Sequence, residues 1–185
     1  MKLVILTAWL IKEKYLQEAC AEYIKRLSAM EPVEIIRVAA SPIADENSPA
    51  SVIKALEKES ARILCLLKPD DFVIALTPDG QSMDSQSFSV LLSAAVRNES
   101  ITAVSNSSAY ASLLSAFVEK MRLGQYKRLA FVIGSSHGLA PAIYDRSAFR
   151  LSLSAMTFPH QFALIMLLEQ IYRGQMIHFN RAYHK

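Results

Sequence analysis

The chain is short of the residues that mark specialised architectures. Its two cysteines in 185 residues, Cys20 and Cys65, are too few for a disulfide framework and have no metal-ligand spacing. Their apolar neighbours predict buried thiols in a reducing compartment. Five glycines and seven prolines exclude collagen-like and low-complexity chains. Charged residues make up only 20% of the chain against 52% apolar, which is too hydrophobic for intrinsic disorder. No stretch reaches the ~18 uninterrupted apolar residues of a membrane span. The apolar run at 3–11 follows a single lysine, lacks a small-residue cleavage pattern and runs into Lys12-Glu13-Lys14. A buried first strand explains it better than an export signal. The expectation is one cytosolic domain over residues 1–185, able to bury roughly 70% of its unfolded surface. His137, His160, His178 and His184 show no zinc spacing, so no metal is expected, and no Ser/His/Asp set can be picked from order alone.

Acidic residues are also scarce at one end. Residues 1–119 hold 11 basic and 15 acidic side chains, whereas residues 120–185 hold 9 basic and 2 acidic. From 171 to 185 there are Arg173, Arg181, Lys185 and two histidines with no acid. Such an end attracts a polyanion such as nucleic acid by Coulomb forces; the bland alternative is a solvated basic tail.

What the chain does contain alternates between two periods. Short apolar or β-branched runs at 3–7, 32–38, 72–76, 129–133 and 149–153 predict strands. Between them, 12–30 places Tyr15, Leu16, Ala19, Cys20, Tyr23, Ile24 and Leu27 on one helical stripe, and 51–68 does the same with Val52, Ile53, Leu56, Ile63, Leu64 and Leu67. Residues 41–49 read as a loop, 141–147 as a short helix, and 160–175 as a helix apolar on nearly every side, opened by Pro159. Thr77-Pro78-Asp79-Gly80 is turn chemistry that should stop the third strand. This order implies an α/β domain with a mostly parallel sheet and helices on both faces. Ligands in such sheets sit at the carboxyl ends of the strands, where 77–80 and 134–138 fall. Residues 88–96 and 110–118 resemble each other twenty-two positions apart, as if a helix had been duplicated, with 98–108 a Ser- and Asn-rich loop between the copies.

The last third carries the motifs. Phe131-Val-Ile-Gly-Ser-Ser-His-Gly-Leu139, Leu151-Ser-Leu-Ser-Ala-Met-Thr-Phe-Pro-His-Gln161, Glu169-Gln-Ile-Tyr-Arg173 and Ala182-Tyr-His-Lys185 resemble, in order and spacing, the ribosomal RNA large subunit methyltransferase H family, SPOUT-class enzymes that methylate N3 of a pseudouridine in 23S rRNA. Lys12-Glu-Lys-Tyr15 and Ala21-Glu-Tyr-Ile-Lys-Arg-Leu27 look like the family's first helix. The resemblance covers the chain except for a helical insertion at about 82–107.

It implies a trefoil-knotted SPOUT domain that binds S-adenosyl-L-methionine, works as a homodimer and acts on 23S rRNA or the assembled ribosome. By position, Leu76, Gly134, Leu153, Ser154, Ala155, Met156, Thr157 and Phe158 would hold the cofactor. For Leu76, Met156 and Phe158, plain core packing is an equal reading. Tyr183 and His184 would position or remove the proton of the target base, and Arg173, Arg181 and Lys185 would meet phosphates. The chain departs from the family pattern at Ser135, where a second glycine is usual, and at Leu164, where an arginine is expected. A knotted RNA- or ribosome-binding protein without catalysis, and a SPOUT methyltransferase with another RNA target, are the alternatives.

Overall fold

The computed structural model describes residues 1–97 and 110–183. Its sheet has five parallel strands: β1 (Lys2–Thr7), β2 (Val33–Arg37), β3 (Asp71–Ser82), β4 (Arg128–Ile133) and β5 (Phe149–Ser152), in the order β2-β1-β4-β3-β5. The helices are α1 (Lys14–Ser28), α2 (Pro49–Leu66), α3 (Ser85–Arg97), α4 (Ala111–Leu123), α5 (Pro141–Arg146) and α6 (His160–His178). The expected strands and helices all form. The expected loop at 98–108 lies outside the described residues.

Alternation along each strand divides the core in two. Leu3, Ile5, Phe72, Ile74, Leu129 and Phe131 face one layer, with Leu16, Leu91, Leu114, Leu164 and Leu168 from α1, α3, α4 and α6. Val4, Leu6, Val73, Ala75, Ala130 and Val132 face the other, with Ile63 of α2 and Ile143 of α5. Strands buried on both faces read as continuous apolar runs, which is why β1, β3 and β4 were plain in the sequence.

The amino edge is fixed by charge. Asp71, fully buried, pairs in register with Arg128 on β4. The guanidinium donates from Nε to Oδ1 at 2.6 Å and from Nη2 to Oδ2 at 2.5 Å. Lys68 N–H donates to Asp71 Oδ2 at 2.7 Å, and Arg146 donates to the Lys68 carbonyl, also at 2.7 Å.

Three expectations are corrected. The third strand does not stop at Thr77-Pro78-Asp79-Gly80: β3 continues to Ser82, with a break in its pairing to β5 between Leu76 and Gln81. The extra residues bulge out there, so Pro78 sits where no ladder donor is needed. Gly80 then lies so close to β5 that a Cβ would meet the Leu151 carbonyl carbon at 2.6 Å. Cys65 is exposed rather than buried, although Cys20 is buried. It follows Ile63 and Leu64 but lies around the helix from the buried Ile63. Tyr15 and Ile53, assigned to apolar stripes, are likewise exposed at the open ends of α1 and α2.

Helices α3 and α6 run in parallel register. Ser85 Oγ donates to Gln170 Oε1 at 2.8 Å, Ser89 Oγ to the Gly174 carbonyl at 2.7 Å, and Ser93 Oγ lies 3.0 Å from His178 Nδ1. Leu91 and Leu92 are fully buried. The first copy of the repeat is therefore core structure. The second, α4, covers the sheet near β3 and β5, where Phe117 meets Phe72 and Phe149 edge-on.

Candidate functional site

A cleft of about 220 Å³ opens at the carboxyl edge of β4, β3 and β5. Its walls come from three neighbouring strand ends: Leu76 to Pro78, Ile133 to Ser136 with Gly138, and Leu151 to Ser154 with Met156 to Phe158; His160 and Ala163 of α6 close one side. Seven of the eight residues singled out for the cofactor line it: Leu76, Gly134, Leu153, Ser154, Met156, Thr157 and Phe158. Ala155 is exposed beside the cleft and does not line it.

The loop after β4 is a closed turn. Gly138 N–H donates to the Ser135 carbonyl at 3.0 Å, and Gly138 takes a φ of +86° that L side chains rarely adopt. A Cβ on Gly134 would stand 2.2 Å from the Gly138 carbonyl oxygen, so this turn closes only on glycine. Ser135 needs no positive φ and sits without strain. After β5, Ser152 Oγ donates to the Ser154 carbonyl at 2.9 Å and Ser154 Oγ accepts from Met156 N–H at 3.0 Å. This local bonding keeps the segment irregular and leaves Met156 72% and Phe158 40% exposed. Those two are cleft residues and not core, whereas Leu76, 8% exposed, serves both core and cleft.

Among the described residues, no Asp, Glu, Lys or Arg lines the cleft. The histidine among the described lining residues, His160, is held below the ordinary histidine pKa, chiefly because burial penalises the charged ring, with Glu13 and Glu59 pulling the other way. Behind these walls lies a residue to which the sequence drew no attention. Trp9, 5% exposed, donates from Nε1 to the Gly134 carbonyl at 3.1 Å, and its ring meets His160 edge-on at 4.7 Å. Leu164, one turn beyond His160, is fully buried in the same apolar cluster as Trp9.

The tail residues gather elsewhere. Tyr183 OH donates to Glu169 Oε1 at 3.4 Å, and its ring packs on Tyr172 and beneath the Arg173 guanidinium. Arg173 Nε donates to the same Glu169 oxygen at 2.9 Å. Glu169 is nine residues beyond His160 on α6, about 14 Å along the helix axis. Within this chain, therefore, Tyr183 and Arg173 do not reach the cleft. Burial pushes the Tyr183 phenol above its ordinary pKa. Arg181 is exposed, its guanidinium over the Phe179 ring. His184 and Lys185 lie outside the described residues. Among the described residues, no group of three or more His, Cys, Asp or Glu could hold a metal, and no helix is long and apolar enough to cross a membrane.

Comparison with known proteins places the chain in a family. The family model described as "Predicted SPOUT methyltransferase" matches residues 1–105 and 98–184. Proteins named "Ribosomal RNA large subunit methyltransferase H" are similar over their whole length. That of Carboxydothermus hydrogenoformans is 37% identical over 185 residues, covering 100% of both chains. Those of Streptococcus gordonii and Bacillus thuringiensis are 36% identical over 186 and 187 residues, again with 100% of each chain covered. With the family model matching both halves of the chain and full-length similarity to these relatives, the chain belongs to the ribosomal RNA large subunit methyltransferase H family of SPOUT methyltransferases.

Proposed function

We propose that the protein is a homodimeric, knotted methyltransferase that transfers the methyl group of S-adenosyl-L-methionine to N3 of a pseudouridine in 23S rRNA. The observation that carries this reading is the cleft. It brings seven of the eight implied cofactor residues together from three separate strand ends.

The residues present suit this cofactor. Backbone N–H and C=O groups of the segments after β4 and β5 can satisfy a purine edge, while Leu76, Ile133, Leu153 and Met156 offer apolar surface to its faces. A sulfonium is cationic, and the described lining residues include no lysine or arginine to repel it, with His160 kept neutral by burial. When bound, the cofactor supplies an already activated methyl group. The protein's task is then alignment, and disposal of the N3 proton.

For that proton the tail residues divide. A phenol whose pKa is raised remains protonated at neutral pH, so Tyr183 positions the base by donating a hydrogen bond, and His184 is the candidate acceptor. Arg173, Arg181 and Lys185 contact phosphates. Because Tyr183 lies about 14 Å along α6 from the cleft of its own protomer, the tail serves the cleft of the second protomer. Exposed Leu10, Tyr15 and Phe162, on the segment after β1 and the first turns of α1 and α6, supply the apolar surface that the second copy covers.

The test is methylation of 23S rRNA from a strain lacking the enzyme, using purified protein and labelled cofactor, with nucleoside mass spectrometry of the product. Label in 3-methylpseudouridine is expected. Absence of label on ribosomes that carry the pseudouridine would sink the reading, and label on another nucleoside would reassign the target.

A further inference from the structure

The residue that joins the two sides of the cleft is Trp9, the chain's single tryptophan. It follows β1, a strand that contributes nothing to the cleft lining. We propose that Trp9 is a positioning residue for the cofactor: its indole N–H and ring lock the Gly134 turn to the start of α6, so that this half of the cleft is formed before the cofactor arrives. This rests on the cofactor reading above.

Three observations support it. The indole N–H reaches the Gly134 carbonyl at 3.1 Å, 125 residues away in sequence, in a buried contact. A buried indole donor without a partner would be costly, so the acceptor holds the ring in one orientation. The same ring packs edge-on against His160, which lines the opposite side of the cleft. Trp9 thus touches both walls while lining neither. Finally, the Gly134 turn is closed on itself by the bond from Gly138 N–H to the Ser135 carbonyl. That bond lies within the turn, and the Trp9 donor adds a tie from the turn to the segment after β1.

At position 164, where the family resemblance leads one to expect a guanidinium, this chain packs Leu164 into the same cluster as Trp9. The polar hydrogen that this corner directs at a cleft wall is the indole's. Pre-formed sites bind more tightly because less ordering free energy is spent on binding.

The experiment compares wild type with Trp9→Phe, which keeps an aromatic ring beside His160 and removes the donor. Calorimetry with S-adenosyl-L-methionine should show binding weakened about tenfold, the scale of one buried hydrogen bond. KM for the cofactor should rise by a similar factor, with kcat within twofold of wild type. The wild-type indole N–H, a single resonance, should also exchange slowly with solvent in the cofactor-free protein. Trp9→Phe binding within twofold of wild type would overturn the proposal alone. Rapid indole exchange in the free protein would do the same, and needs no variant to fold. If wild type itself shows no saturable binding, the cofactor reading fails and takes the proposal with it.

Discussion

The two edges of the sheet hold their polar groups in opposite ways. At the amino edge, Asp71 and Arg128 are paired charges closed off from water, and their neighbours Lys68 and Arg146 complete the set. At the carboxyl edge, charged side chains are absent from the described lining residues, and the polar groups there are backbone atoms, serine and threonine hydroxyls and a neutral histidine. The difference separates fixing strands from receiving a ligand. A satisfied ion pair specifies register but has nothing left to offer a partner. Backbone groups at irregular strand ends remain free to bind, at the cost of needing other residues to hold them still.

Cutting the ion pair should break the comparison most sharply. Asp71→Ala leaves the Arg128 guanidinium against a buried edge, and should lower stability by about 3–5 kcal/mol, read by urea denaturation. The folded fraction should bind S-adenosyl-L-methionine with an affinity within twofold of wild type. A matching loss of affinity would mean that the edges are not independent.

Gly134→Ala makes the reciprocal test. Its Cβ would meet the Gly138 carbonyl oxygen at 2.2 Å, so the turn must open. Cofactor affinity should fall at least about tenfold, while stability falls by about 1–3 kcal/mol, the scale of local backbone strain. An unchanged affinity would remove this turn from the site.

A smaller and graded effect should follow pH. The folded His160 ring is harder to protonate than in the unfolded chain, because burial penalises its charged form. As pH falls below the unfolded value of about 6.5, the unfolded state takes up the proton first. Stability from this group is therefore full above that value and declines below it, levelling off below the folded pKa. Cofactor binding should weaken over the acidic range where the folded ring itself becomes charged, since imidazolium repels a sulfonium. Calorimetry across pH 5–8 checks this, and His160→Asn should flatten the trend.

The smallest change belongs to Ser135→Gly. Serine sits there with an ordinary backbone conformation. Its replacement should cost no more than about 1 kcal/mol, through the unfolded chain's added freedom, with cofactor affinity within twofold by calorimetry. A large gain in affinity would show that this departure from the family pattern weakens the site.

The carboxyl edge was legible where its chemistry is contiguous. Leu153 to Phe158 stand in one motif, and six consecutive residues can carry a resemblance, as can a glycine turn directly after a strand. Trp9 was not legible, because its partners lie 125 and 151 positions away and no periodicity links them. The continuation of β3 through Thr77-Pro78-Asp79-Gly80 was hidden for another reason. Turn chemistry and a bulge use the same residues, and only pairing with β5 decides between them. Cys65 shows the limit of reading neighbours in place of faces: adjacent positions on a helix point about 100° apart. The tail was legible as a basic end but not in its position, since the attachment of Tyr183 to Glu169 is a matter of packing on α6.

The serine seam between α3 and α6 bears on how two similar segments find two addresses. Ser89 of the first copy becomes Ala111 in the second, and Ala95 becomes Phe117. The first change decides which copy can dock on α6, because only a hydroxyl at that position can reach the Gly174 carbonyl. The second decides which copy suits the sheet margin, because only an aromatic ring there can wedge between Phe72 and Phe149. Two of the four differences between these nine-residue copies thus fall at positions where each helix makes its own contacts. A folding chain that carries both copies is thereby steered away from seating the wrong one.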